Sequence, residues 1–171
     1  MGEAGVFAPD ERVELIDGEV VIMPPIGEEH SAETNRMNSR VGRSLGDRAI
    51  VSVQNPVIIR PDWEPLPDLA LLRPREDFYQ RAKPRPEDVF LLVEVSDTSL
   101  AFDREVKVPG YAAAGIPETW VVDVQARLLL VFREPSPEGY RRLATFGPGD
   151  RLSPAAFPDV EFLVTDLLPL P

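Results

Sequence analysis

The 171-residue chain contains no cysteine. Disulfides, thiolate-held zinc and cysteine nucleophiles are therefore excluded outright, and the lack of thiols fits a cytoplasmic protein. Histidine occurs once, at His30, so a metal site built from several imidazoles is excluded as well. Lysine is almost as scarce: Lys83 and Lys107 stand against sixteen arginines. No stretch approaches the roughly 18 consecutive apolar residues of a membrane span. The opening run MGEAGVFAPDERVE has neither the basic start nor the apolar core of a secretory leader. Gly2 is a poor myristoylation match, because Val6 stands where Ser or Thr is needed. Neither a G-x-x-x-x-G-K-S/T phosphate loop nor a G-x-G-x-x-G dinucleotide fingerprint is present. Positive charge is short overall: net charge is −11 and the sequence pI is near 4.6. Nucleic-acid binders normally present a basic face that releases counterions from phosphate. Either nucleic acid is not the partner, or the cations are gathered on one side.

What is present reads as a globular protein, with 43% apolar and 27% charged residues. The length suits one domain over residues 1–171, with residues 1–10 as an N-terminal extension. Residues 11–23, ERVELIDGEVVIM, alternate around Asp17-Gly18 and predict a β-hairpin. Ala32, Met37, Val41 and Leu45 recur at helical spacing and predict a helix over 29–46, stopped by Gly46. Residues 50–60 predict a strand pair or one bent strand, interrupted at Asn55-Pro56. A short strand is predicted over 67–73, a loop over 74–88, and a strand buried on both faces at 89–95, VFLLVEV. Residues 103–115 predict a helix that Pro109 should kink or split. Residues 118–124 predict another buried strand, and 127–133 with 139–146 a second hairpin. The tail carries the strand-like VEFLV and an apolar end at 167–170, suited to packing on the domain or to an interface. This order predicts an α/β fold with a mixed sheet.

Five residues stand out chemically. Glu94 lies inside an apolar strand, where an ionised carboxylate is costly unless paired or metal-bound. It sits near the strand's C-terminal end, where sites on α/β sheets collect. Its plain structural reading is a strand-end acid paired with an Arg or Lys. Asp68, in Pro67-Asp68, is an ordinary turn residue unless its strand neighbours that of Glu94. In that case two carboxylates plus waters suffice for a hard cation such as Mg2+ or Mn2+. Lys107 follows Asp103 by four residues and either pairs with it at the surface or turns back over the strand end to assist a reaction there. Glu14 is either a solvent-facing hairpin residue or a further member of the acidic cluster. His30, at the start of the first helix, is either a cap or a member of the site.

The string VEVSDTSLAFDREVKVPGYAAAGIPETWVVDV (93–124) resembles the signature of the restriction-endonuclease-like family called Uma-two: a strand ending Glu-Val-Ser, then an Asp, a Lys, a Tyr and a Gly-Ile-Pro-Glu-x-Trp strand. ERVELIDGEVVIMPPIGEEH (11–30) is similar to that family's hairpin and following His, and Pro67-Asp68 to its Pro-Asp strand. The likeness runs from about Glu11 to Leu168. It implies a PD-(D/E)XK nuclease fold, a mixed β-sheet flanked by helices with an N-terminal hairpin, and divalent-metal-dependent hydrolysis of DNA phosphodiesters. Asp68 and Glu94 would be the metal ligands. Ser96 occupies the place where the superfamily motif has its lysine, so Lys107 would supply the cation from the next helix. The resulting expectation is a Mg2+- or Mn2+-dependent endonuclease with DNA as substrate, working as a homodimer or larger homo-oligomer. The alternative is a non-catalytic interaction or DNA-associated protein that keeps the fold.

Overall fold

The structure is a computed structural model, and it describes residues 12–168. The expected N-terminal extension and the last residues of the apolar tail lie outside that range. The chain opens on the hairpin β1 (Val13–Ile16) and β2 (Glu19–Ile22). Asp17 and Gly18 both take positive φ, 52° and 80°, as a type I′ turn requires. The register pairs Val13 with Ile22 and Leu15 with Val20. These four share one face, and Glu14 and Ile16 point the other way into the protein. Backbone bonds from Leu15 to Glu64 and from Gly18 to Asp62 tie the hairpin to the body.

Helix α1 (Glu28–Leu45) carries Glu28 and Glu29 in its first turn, favourable at the positive end of the helix dipole. Met37, Val41 and Leu45 form its buried stripe. A six-stranded sheet follows, in the order β3 (Ile50–Val53), β4 (Leu69–Leu72), β5 (Val89–Ser96), β6 (Glu118–Asp123), β7 (Leu128–Ser136) and β8 (Gly139–Phe146). Neighbouring strands are antiparallel except β5 and β6, which are parallel. The sheet is thus two antiparallel meanders joined by one parallel pair. The crossover that joins them comprises α2 (Leu100–Phe102), a π turn (Asp103–Lys107) and α3 (Val108–Ala113). A small pair, β9 (Arg151–Leu152) and β10 (Phe162–Leu163), leads into α4 (Val164–Leu167).

Strand alternation sends side chains to two cores. Leu69, Leu71, Val93, Val95, Trp120 and Val122 meet α1 and the C-terminal Phe157, Phe162, Val164 and Leu167 on one face. The apolar tail therefore packs on its own sheet. Ala70, Leu72 and Leu92 meet Trp63, Tyr111 and Ile116 on the other. No described helix is long and apolar enough to cross a membrane.

The structure departs from expectation in three places. Residues 50–60 are neither a strand pair nor a bent strand: β3 stops at Val53, and Gln54 takes φ 52°. The crossover helix starts earlier than Asp103 and is not simply kinked at Pro109. Proline has no N–H for the carbonyl of Glu105, and the turn before it widens so that Val108 N–H bonds Asp103 O. Only Phe162–Leu163 of VEFLV is strand.

One contact fixes how closely the crossover lies on the sheet. A Cβ on Gly110 would come within 1.6 Å of the Trp63 indole, a side chain that is 1% exposed and stacks on Tyr111 at 5.6 Å. Gly42, in α1, faces nothing nearer than a Val51 methyl at 3.9 Å. Gly42→Ala is expected to stabilise the protein by roughly 0.5–1 kcal/mol, the ordinary helix preference for alanine. Gly110→Ala is expected to destabilise it by about 1–3 kcal/mol or more, because overpacking outweighs that preference. Urea unfolding of the two variants checks the opposite signs.

Candidate active site

Asp68 immediately precedes β4, and Glu94 lies in β5. The register pairs Leu69 with Val93, so one step further Asp68 stands opposite Glu94, and alternation puts both on the Trp63–Tyr111 face. The strand adjacency required of Asp68 is present. Its carboxylate is held from three sides: the Val95 N–H donates to Oδ2 at 2.8 Å, Gln54 Nε2 donates to Oδ1 at 3.2 Å, and His30 Nε2 lies 3.1 Å from Oδ2. Burial pushes this carboxyl upward, but His30, the Val95 N–H and Gln54 outweigh it and hold it below the usual carboxylate range.

Glu94 is 2% exposed. Tyr111 donates its hydroxyl to Oε1 at 2.6 Å, and Lys107 Nζ lies 3.3 Å from Oε2. Burial drives the Glu94 carboxyl well up; Lys107 pulls it down, while the charges of Asp103, Asp68 and Glu14 add to the rise. Lys107 is not at the surface. It is 2% exposed and touches three acids: Glu14 at 3.0 Å, Glu94 at 3.3 Å and Asp103 at 3.7 Å. Desolvation lowers its pKa, but these carboxylates more than compensate and raise it above the usual lysine value, so it stays charged. The i,i+4 pairing with Asp103 and the approach to the strand end are both real.

Glu14 does not face solvent. The hairpin turns it inward, where it is 3% exposed. Its Oε1 accepts from Lys107 and from the Leu66 N–H, while Oε2 is buried without a partner. His30 reaches Asp68 from the first turns of α1, and its Nδ1 is likewise buried and unpartnered. All five residues line one cavity of about 210 Å3.

Three participants were not among the five candidate residues. Asp103 accepts hydroxyls from Ser96 at 2.7 Å and Ser99 at 2.6 Å, which fix it beneath Lys107. Ser96, in the usual lysine position, is thus a support for the acid that supports the lysine. Tyr111 pins Glu94, and burial beside that acid pushes its phenol well up. The spacing Asp103–Lys107–Tyr111, four and four, was a readable signal for one helical face. Gln54 had none, since it depends on the left-handed turn after β3. Burial alone does not mark the site: Glu118 is 0% exposed, yet it faces the other core and takes donors from Trp120, Arg133 and the Ala155 N–H. Gly42-Arg43-Ser44-Leu45-Gly46 has the spacing of a hydrolase nucleophile elbow. It forms the end of α1 rather than a strand-to-helix turn, with Ser44 exposed.

No group of three or more His, Cys, Asp or Glu side chains among the described residues converges as a ready cation cage. The donor set nevertheless suits a hard divalent ion. Three carboxylates (Glu14, Glu94 and Asp103) contact one ammonium, the charge of Asp68 acts on Glu94 beside them, and one buried carboxylate oxygen has no donor. Asp68 and Glu94 carry carboxylate oxygens of the kind that a hard divalent ion takes.

Residues 3–167 match the model of the family described as "Uma2: Putative restriction endonuclease". No curated protein matches the chain. Among solved structures, a crystal structure from Anabaena variabilis described as a "putative nuclease belonging to DUF820" aligns with a TM-score of 0.73 and 15% identity. The alignment covers 96% of this chain and 94% of that one. At that identity the likeness establishes the fold: a restriction-endonuclease-like mixed sheet flanked by helices with an N-terminal hairpin.

Replacing Lys107 by Met strands the buried carboxylates of Glu14 and Glu94. The expected loss of stability is about 3–5 kcal/mol near neutral pH. The loss narrows as pH falls, since Glu94, whose folded pKa lies above its unfolded one, takes up a proton and becomes neutral. Urea midpoints at pH 8 and pH 5 check both magnitude and sign.

Proposed function

This chain belongs to the Uma-two (Uma2) family, whose description and fold support a nuclease-like function, and we propose that it is a divalent-metal-dependent endonuclease that hydrolyses DNA phosphodiesters. The observation that carries the reading is the cross-strand pair Asp68 and Glu94 beside a buried, fully charged Lys107. Asp68 and Glu94 would hold Mg2+ or Mn2+, which when bound supplies Lewis-acid chemistry and an activated water. The chain's own residues set the stage. The Val95 N–H, Gln54 and His30 orient Asp68, and Tyr111 fixes one oxygen of Glu94. Lys107, anchored by Glu14 and Asp103, offers an ammonium to the charge that grows on the phosphoryl oxygens. In this reading Asp68, Glu94 and Lys107 are the catalytic residues, and Glu14 and His30 position them. The whole chain is read as one domain working in the cytoplasm, and cutting both strands of a duplex calls for a homodimer.

The second reading, a non-catalytic DNA-associated protein that retains the fold, is favoured by the net charge of −11 and by the lack of a three-residue cation cage among the described residues.

Purified protein with Mg2+ or Mn2+ is expected to hydrolyse both DNA and bis(p-nitrophenyl) phosphate. Glu94→Ala and Asp68→Ala should abolish both activities. His30→Ala, which removes only a partner of Asp68, should cost roughly 10–100-fold. Titration calorimetry with Mn2+ separates the readings: no binding and no hydrolysis leaves only the non-catalytic one.

A further inference from the structure

The groups that would do the chemistry are 2–5% exposed, at the bottom of a cavity of about 210 Å3. That is below the roughly 300–1,000 Å3 of a pocket for a drug-sized ligand. There is room for one phosphodiester group and its immediate neighbours. The lining carries five carboxylates, including Asp97, against Arg12 and Lys107 as cations, and Lys107 is already paired. A duplex brings one phosphate charge per ~1.7 Å of axis, whereas one strand brings one per ~3.4 Å and can bend away. A stiff duplex laid over this mouth meets repulsion and cannot lower a phosphate to the carboxylates.

A second cavity, of about 230 Å3, adjoins the first, and Glu14 and Leu66 line both. Its walls are largely apolar: Val13, Leu15 and Val20 from the outer hairpin face and Pro56 from across the gap, with Lys83 at the edge paired to Glu64. The apolar face continues outward, since Val20 is 40% exposed and Ile22 61%. Apolar side chains left in water beside an anionic reaction chamber cannot serve a phosphate backbone. Aliphatic side chains can take the apolar face of an unpaired base by van der Waals contact, a face that a duplex keeps hidden in its stack.

We propose that the hairpin cavity is a subsite for an unpaired nucleotide next to the scissile phosphate, so that the substrate is single-stranded or frayed nucleic acid rather than continuous duplex. This rests on the phosphodiesterase reading of the Asp68–Glu94 site. The strand enters over Leu66, its base lies on Leu15 and Val20, and Lys83 meets the next phosphate.

Three substrates test this on the full chain with Mn2+: bis(p-nitrophenyl) phosphate, a single-stranded oligonucleotide, and a covalently closed duplex circle. The expected result is cleavage of the single strand at least about tenfold faster than the circle. Val20→Asp and Lys83→Glu, both on exposed side chains, should each lower kcat/KM for the oligonucleotide by about tenfold, mainly through KM. Neither should alter bis(p-nitrophenyl) phosphate hydrolysis. Equal cleavage of circle and single strand overturns the proposal, and so does an unchanged oligonucleotide KM in both variants. In either case Glu94-dependent hydrolysis of the small diester would leave the phosphodiesterase reading standing. Failure to hydrolyse any of the three overturns both.

Discussion

The buried ammonium of Lys107 is the interaction on which the other parts depend. A charge out of water is tolerable only when its partners are close and correctly placed, and here the partners come from separate stretches of chain. Glu14 arrives on the N-terminal hairpin, Glu94 on the central strand, and Asp103 on the crossover one turn earlier. Each must dock for the ammonium to be neutralised. The type I′ turn that flips Glu14 inward, the π turn that aims Asp103 and Lys107 together, and the glycine that lets α3 settle on Trp63 all serve this placement. The same arrangement leaves the cavity short of positive charge, because five carboxylates line it against Arg12 and Lys107.

Much of this was legible in the sequence where the signal is local. The Asp17-Gly18 turn, the period of α1, the doubly buried strand at 89–95 and the Pro137-Glu138 hairpin all rest on neighbours a few residues apart. Glu94 was legible because an acid in an apolar strand breaks the pattern. Glu118 marks the limit of that reasoning: it is just as buried, and only three-dimensional contact shows it saturated by donors from the tail and from β7. The side of the hairpin on which Glu14 falls is a register question, which an alternating pattern with apolar residues on both faces leaves open. Gln54 depends on a left-handed residue after β3 that no propensity announces. The π turn is likewise invisible, although Pro109 said that something had to give.

The resemblance would make Asp68 and Glu94 the metal ligands and Lys107 the cation, and the structure brings the three side chains to one cavity from two strands and the crossover. With Ser96 at the strand position, the support runs Ser96 to Asp103 to Lys107 instead of through a lysine two residues after the acid. The ammonium reaches the strand end from above, and the strand position is free to hold a small hydroxyl.

The single parallel pair in the sheet also bears on how the protein assembles. Each meander, β3–β4–β5 and β6–β7–β8, joins its strands in antiparallel order. Joining β5 to β6 requires the whole crossover to be in place, and that crossover carries Asp103, Lys107 and Tyr111. Loop closure is the costly part of forming such distant contacts. The seam that completes the sheet and the polar cluster at its end are therefore formed by the same segment. Opening that seam would strand both the lysine and its acids, which makes the polar cluster a latch between the two halves of the sheet.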